Sequence, residues 1–222
     1  MGYSLSCLIL REDTWCRRSC CQRWRGWSRE PAVTADLKKQ IRKKLDNWSP
    51  RSLEESHVAE AAVLMTIFQR DGEPYFLLTQ RTQEVATHKG QISFPGGLRE
   101  DTDSSLRETA LREMEEEVGI PADFVEVLGR FNQYMSVTNY RVTPFVAFLR
   151  EGFSVSLNPR EVERILEVPL RFFYQAKPTE EIHHRFGRAV TLYFYNYEGD
   201  VIWGLTAAMI KDLIEFLEED LR

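Results

Sequence analysis

The stretch Phe94-Pro95-Gly96-Gly97-Leu98-Arg99-Glu100-Asp101-Thr102-Asp103, running on to Arg112-Glu113-Met114-Glu115-Glu116-Glu117-Val118-Gly119, decides how this chain is read. A glycine pair stands just ahead of a segment with helical periodicity. At about 100° per residue, Leu106, Ala110, Met114 and Val118 form one apolar stripe. Glu113, Glu116 and Glu117 occupy i, i+3 and i+4, which gathers them on one side of the helix with Glu117 at the edge of the stripe. A carboxylate leaning on buried apolar surface is costly unless a positive charge compensates it. Hard divalent cations favour such oxygen clusters. A Glu-rich helix on its own reads as a solvated acidic face; the glycine pair, the Arg112-Glu113 step and Gly119 turn the reading toward metal binding. Gly96-Gly97 lets the backbone turn tightly into the helix, and Ser104 or Asp103 can cap it.

Working outward, Ala61–Phe68 and Tyr75–Leu78 read as strands joined by a turn at Asp71-Gly72, and Ile92–Phe94 as a short strand leading into the glycines. Beyond Pro121, strands are expected near 125–129 and 140–148, a loop and short helix over 160–166 and 170–174, strands at 190–197 and 201–203, and a closing helix over 206–221. On the N-terminal side, Leu37, Ile41 and Leu45 recur every fourth residue among Lys38, Lys39, Arg42, Lys43 and Lys44, giving a basic amphipathic helix over 34–48 that packs on the domain edge. Strands and helices that mix without strict alternation indicate an α+β fold, an α/β/α sandwich with a mixed sheet between helices.

With 222 residues, 43% of them hydrophobic, the chain can bury one sizeable core, so one domain over 31–222 and an extension over 1–30 is the economical count. The extension holds all four cysteines and three of the five tryptophans without any helical or strand period. A targeting leader, a lipid-anchored tail and an untidy, disordered segment compete to explain it; Met1-Gly2 with Ser6 fits the myristoylation pattern. Cys16, Cys20 and Cys21 match no regular zinc spacing. A domain without cysteine suits a reducing cytoplasm, with a mitochondrial address the alternative if the extension is a leader. A net charge of -5 gives no long-range attraction to nucleic acid, so phosphates must be drawn in by a local positive centre such as a metal. No apolar run approaches the roughly 20 residues that span a bilayer.

Gly97, Arg112, Glu113, Glu116, Glu117, Gly119 and Ile120 resemble the box of the Nudix hydrolases. Asp103 stands where that family usually has Glu, and eight residues rather than seven separate it from Arg112. With Leu77-Leu78-Thr79-Gln80-Arg81, His88-Lys89-Gly90-Gln91 and Trp203-Gly204-Leu205-Thr206-Ala207, the chain resembles the coenzyme A diphosphatase branch over 61–214. The resemblance implies hydrolysis of a diphosphate bond with Mg²⁺ or Mn²⁺, coenzyme A or an acyl-CoA giving 3′,5′-ADP and a 4′-phosphopantetheine product. A broader nucleoside diphosphate hydrolase, acting on ADP-ribose or dinucleotides, and a Nudix-fold binding protein without turnover are the alternatives. It implies Glu113, Glu116 and Glu117 as metal ligands, with the Gly97 carbonyl as a further oxygen, and Arg112 as the residue that orients them by pairing with Glu116 or Glu108. Glu161 is the candidate base, with Glu163 close behind and Glu113 able to serve. Arg81, His88, Lys89, Gly96 and Gly97, with Arg99, are the candidate substrate contacts. A monomer or homodimer is expected.

Overall fold

The computed structural model describes residues 32–54, 58–83, 89–185 and 188–218, so the extension and His88 lie outside the described residues. A mixed sheet in the order β3-β2-β1-β7-β5 forms the middle layer. Its strands are β1 (Ala59–Arg70), β2 (Glu73–Arg81), β3 (Ile92–Ser93), β5 (Val125–Arg130) and β7 (Tyr140–Leu149). β1 and β7 run parallel from Ala59↔Tyr140 to Ile67↔Phe148, whereas β1–β2 and β5–β7 are antiparallel. The short β4 (Gly96–Leu98) pairs with the start of β1, and β6 (Tyr134–Met135) with β7.

Alternation along β1 makes the sandwich. Ala62, Leu64 and Phe68 face Ala110, Met114 and Val118 of α2 (Leu106–Val118), the expected apolar stripe. Met65 and Ile67 face the opposite way, into a larger core closed by α1 (Ala32–Asp46) and α4 (Gly204–Glu218). Leu37, Ile41 and Leu45 of α1 are buried there, each contributing about 1.5–3 kcal/mol of apolar burial. Lys38 and Arg42 reach Glu126 at 2.9 and 2.8 Å, while Lys44 Nζ donates to the Phe216 and Leu217 carbonyls at 2.6 and 3.3 Å. Lys44 thus ties α1 to the last described turn of α4.

Two segments differ from the sequence reading. The expected loop over 160–166 ends in a strand, β8 (Val162–Pro169), which pairs with β2 from Arg81↔Val162 to Tyr75↔Pro169. Val162, Leu166 and Val168 are buried, but Glu163, Arg164 and Glu167 break the apolar run. The short helix follows as α3 (Leu170–Gln175). The other is β9 (Thr179–Arg185), which forms a separate antiparallel sheet with β10 (Arg188–Tyr197) and β11 (Asp200–Trp203). Tyr195 and Ile202 join the larger core from this sheet, and Phe194 stacks on Trp203 at 6.2 Å on its other face.

Candidate active site

Both ends of α2 are fixed by its own sequence. At the N-terminus Ser105, rather than Ser104 or Asp103, is the cap: its hydroxyl accepts from Glu108 N at 3.2 Å, and Glu108 reaches back to Ser104 N at 2.7 Å. At the C-terminus Gly119 adopts φ 72°, the left-handed turn that closes a helix. Two remaining end carbonyls are taken by a distant loop, Ser156 N donating to Val118 O at 2.9 Å and Asn158 N to Glu117 O at 3.1 Å.

Asp103 is free for other work because Ser105 does the capping. It accepts from Arg112 Nε at 3.0 Å and Arg112 NH2 at 3.1 Å, from Thr109 Oγ1 at 2.8 Å and from Glu100 N at 2.9 Å. The Arg112 hydrogen bonds hold its carboxyl well below the usual carboxylate range. Arg112 also donates to Leu98 O at 3.0 Å and meets Glu116 at 2.8 Å and Glu113 at 3.0 Å. Of the two expected partners it takes Glu116, and Glu108 is occupied by Ser104. Arg112 therefore ties the glycine loop to the helix and aligns two of its carboxylates.

Glu113 and Glu117 meet a different environment. Burial pushes the Glu113 carboxyl upward, with Arg112 opposing the shift and Glu116 and Glu161 adding to it. Glu117 is 2% exposed, and burial pushes it to about 8 despite Arg81, with Glu113 and Glu161 adding repulsion. Among the described residues its hydrogen bonds are a 3.1 Å contact from Arg81 Nη1 and a long 3.3 Å contact from Gly96 N. Arg81 comes to it from the last residue of β2. Gly97 lies against Glu113 so closely that a Cβ there would overlap the carboxylate, and a Cβ on Gly96, at φ 153°, would strike the Ala62 and Val63 backbone.

Glu161, on the loop leading into β8, lies near enough for its charge to act on both Glu113 and Glu117, and Asn158 Nδ2 donates to its Oε1 at 3.0 Å. Glu163 is exposed on β8. The sequence signal for Asn158 is its place before Pro159 in a turn, where its Oδ1 accepts from Arg160 N at 3.2 Å while its Nδ2 holds Glu161. Lys89 is exposed beside Gly90, whose N–H bonds the Arg81 carbonyl at 3.1 Å. Arg99 is engaged with Glu60 at 3.1 Å and the Asp103 carbonyl at 3.3 Å. His183, exposed on β9, meets Glu181 at 3.0 Å in the separate sheet. An open cleft of about 330 Å³ beside the glycine loop is lined by Glu60, Leu98, Arg99, Glu100 and Asp101.

Residues 58–191, well over half of the chain, match the NUDIX domain. The chain belongs to the Nudix family. It is 41% identical over 170 residues to an "Uncharacterized Nudix hydrolase NudL" of Photorhabdus laumondii, covering 75% of this chain and 88% of that protein. A protein of the same name from Yersinia enterocolitica is 43% identical over 159 residues, covering 70% and 80%. Among solved structures, a MutT/nudix family protein from Enterococcus faecalis is 13% identical with a TM-score of 0.47, covering 84% of this chain and 72% of that one. As a Nudix hydrolase the protein cleaves a nucleoside diphosphate-linked substrate, and such enzymes need divalent metal ions.

The residues fit such an ion. Glu113 and Glu117 supply oxygens one turn apart, their charges held at a cost that a cation relieves, and the Glu113 carboxylate lies against Gly97 in space that any larger residue would take from it. Among the described residues no three acidic, His or Cys side chains converge on one point. Glu116 is 52% exposed at the rim, on Arg112.

Proposed function

We propose that this Nudix hydrolase cleaves the diphosphate of coenzyme A or an acyl-CoA, with Glu113 and Glu117 holding Mg²⁺ or Mn²⁺, Glu116 joining from the rim and the Gly97 carbonyl adding an oxygen. The observation that carries the chemistry is the Glu113–Glu117 pair one turn apart on α2, Glu117 buried and Glu113 partly buried, with the Glu161 charge acting on both. A divalent ion there neutralises nonbridging phosphate oxygens and makes water nucleophilic. Glu161, hydrogen-bonded by Asn158, would take the water proton. Arg112 is a positioning residue, fixing Glu113 and Glu116 through Asp103. Arg81, beside Glu117, suits the diphosphate itself, which leaves Lys89, and His88 from the sequence, for the ribose 3′-phosphate that distinguishes coenzyme A.

The coenzyme A reading is supported by the Leu77–Arg81, His88–Gln91 and Trp203–Ala207 motifs. Residues 31–222 form the hydrolase domain in this reading, acting in the cytoplasm as a monomer or homodimer. A panel of coenzyme A, 3′-dephosphorylated coenzyme A, ADP-ribose and diadenosine phosphates, each assayed with and without Mg²⁺ or Mn²⁺, tests it. Coenzyme A is expected to give the highest kcat/KM. A clear preference for ADP-ribose makes the enzyme a broader nucleoside diphosphate hydrolase, and equal rates with and without the 3′-phosphate remove recognition of that group.

A further inference from the structure

Arg81 and Arg112 serve neighbouring carboxylates in contrasting ways. A guanidinium carries five N–H donors. Arg112 spends its donors on Asp103, Glu113, Glu116 and the Leu98 carbonyl. The Arg81 guanidinium makes, among the described residues, one hydrogen bond, the single-pronged contact to Glu117 Oε1 at 3.1 Å. Its side chain is 24% exposed, while Glu117 is 2% exposed. A buried carboxylate is thus paired with a cation that is itself partly exposed, held by one prong from the last residue of a strand.

We propose that Arg81 is an exchangeable counter-ion: it neutralises Glu117 while no divalent ion is bound, yields the carboxylate when one binds, and turns its guanidinium to the substrate's diphosphate. This rests on the reading of Glu117 as a metal ligand. Two cations crowding one buried carboxylate repel strongly in so weakly solvated a site. The loaded site therefore favours Arg81 facing outward, where four donors not used on Glu117 match the fork geometry of phosphate oxygens. The diphosphate lies between the ion and the guanidinium and relieves their repulsion. Metal and substrate must then strengthen each other's binding by the same factor. Arg81 would link the two events, in addition to any contribution it makes to the rate.

The test is calorimetric titration of Mg²⁺ into metal-free protein at pH 9, where protons compete little for the carboxylate, with and without ADP as a diphosphate probe. For the unaltered protein ADP is expected to tighten Mg²⁺ binding about fivefold or more. Arg81→Ala should bind Mg²⁺ alone several-fold tighter than the unaltered protein and lose most of the ADP enhancement. Arg81→Lys, which keeps the charge, should stay close to the unaltered protein for Mg²⁺ alone. Unchanged or weaker Mg²⁺ binding by a folded Arg81→Ala overturns the exchange, as does an undiminished ADP effect. Glu117→Gln is the separate control on the ligand assignment: if it binds Mg²⁺ as tightly as the unaltered protein, Glu117 is not a ligand and the underlying reading fails, whatever Arg81 does.

Discussion

The two sides of α2 carry the same kinds of residue and treat them in opposite ways. On one side Asp103 and Arg112 form a two-pronged pair with every neighbour satisfied, and the hydrogen bonds drive the Asp103 carboxyl down. On the other side the buried Glu117 and the partly buried Glu113 lie near like charge and are driven up, Glu117 to about 8. The satisfied side behaves as scaffold. The unsatisfied side holds charges that the fold alone does not want, which is how a site prepared for an added cation looks before the cation arrives. Perturbation in opposite directions separates structure from chemistry along one helix and the turn that leads into it.

The comparison breaks most sharply at Asp103. Asp103→Ala leaves Arg112 without its main partner and is expected to lower stability by about 3 kcal/mol, the scale of opening a buried pair from one side; denaturant unfolding measures it. On the other side, Glu113→Gln and Glu117→Gln are each expected to cut turnover at least about a hundredfold, as when a key electrostatic element is lost. The melting temperature of the metal-free protein should stay the same or rise. Near-normal turnover in either variant would remove that residue from the ligand set.

The adjacent glycines sharpen the contrast at a finer scale. Gly96→Ala puts a methyl into the β1 backbone at a φ of 153°, so it should destabilise the fold by more than about 1 kcal/mol. At Gly97 the methyl meets the movable end of Glu113, so Gly97→Ala should leave the melting temperature nearly unchanged while turnover falls about tenfold, the carboxylate having been displaced. Equal effects of the two substitutions on stability would show that Gly97 is a backbone requirement and not a cradle.

The two flanks should also differ in pH dependence. Glu117 binds its proton more tightly folded than unfolded, so between pH 4.5 and about 8 the native state holds more proton than the unfolded one. By linkage the metal-free protein loses stability from this group as pH rises through that window. Asp103 acts with the opposite sign: its contribution is present above its ordinary value of 3.8 and is lost as acid protonates it. Melting curves with chelator across pH 4.5 to 8 should show the decline, and Glu117→Gln should flatten it.

What the sequence showed and what it hid follow from the range of each interaction. The apolar stripe and the carboxylates at i, i+3 and i+4 were legible because one helix contains them. The Arg81–Glu117 contact was not, because it needs the end of β2 brought beside α2 by the sheet. The Asp103 clamp is half visible in the sequence: its position stands out as unusual, but the sequence offers Ser104 or Asp103 as the cap, work that Ser105 does. β8 was read as loop because Glu163, Arg164 and Glu167 interrupt its apolar residues, and β9 was missed because an exposed strand has no burial pattern, only backbone pairing with β10.

The anchoring of the 156–161 loop on the end of α2 bears on the order in which the site comes into being. Ser156 and Asn158 close the last turn of a helix that ended some forty residues earlier in the chain, and Gly119 leaves no space for a side chain against Ser156. Between them lie β5, β6 and β7, which must find their places before the two ends can meet. During refolding, then, helical signal should return ahead of hydrolytic competence, because a half-assembled chain can already display its Glu113–Glu117 pair while Glu161 is still elsewhere.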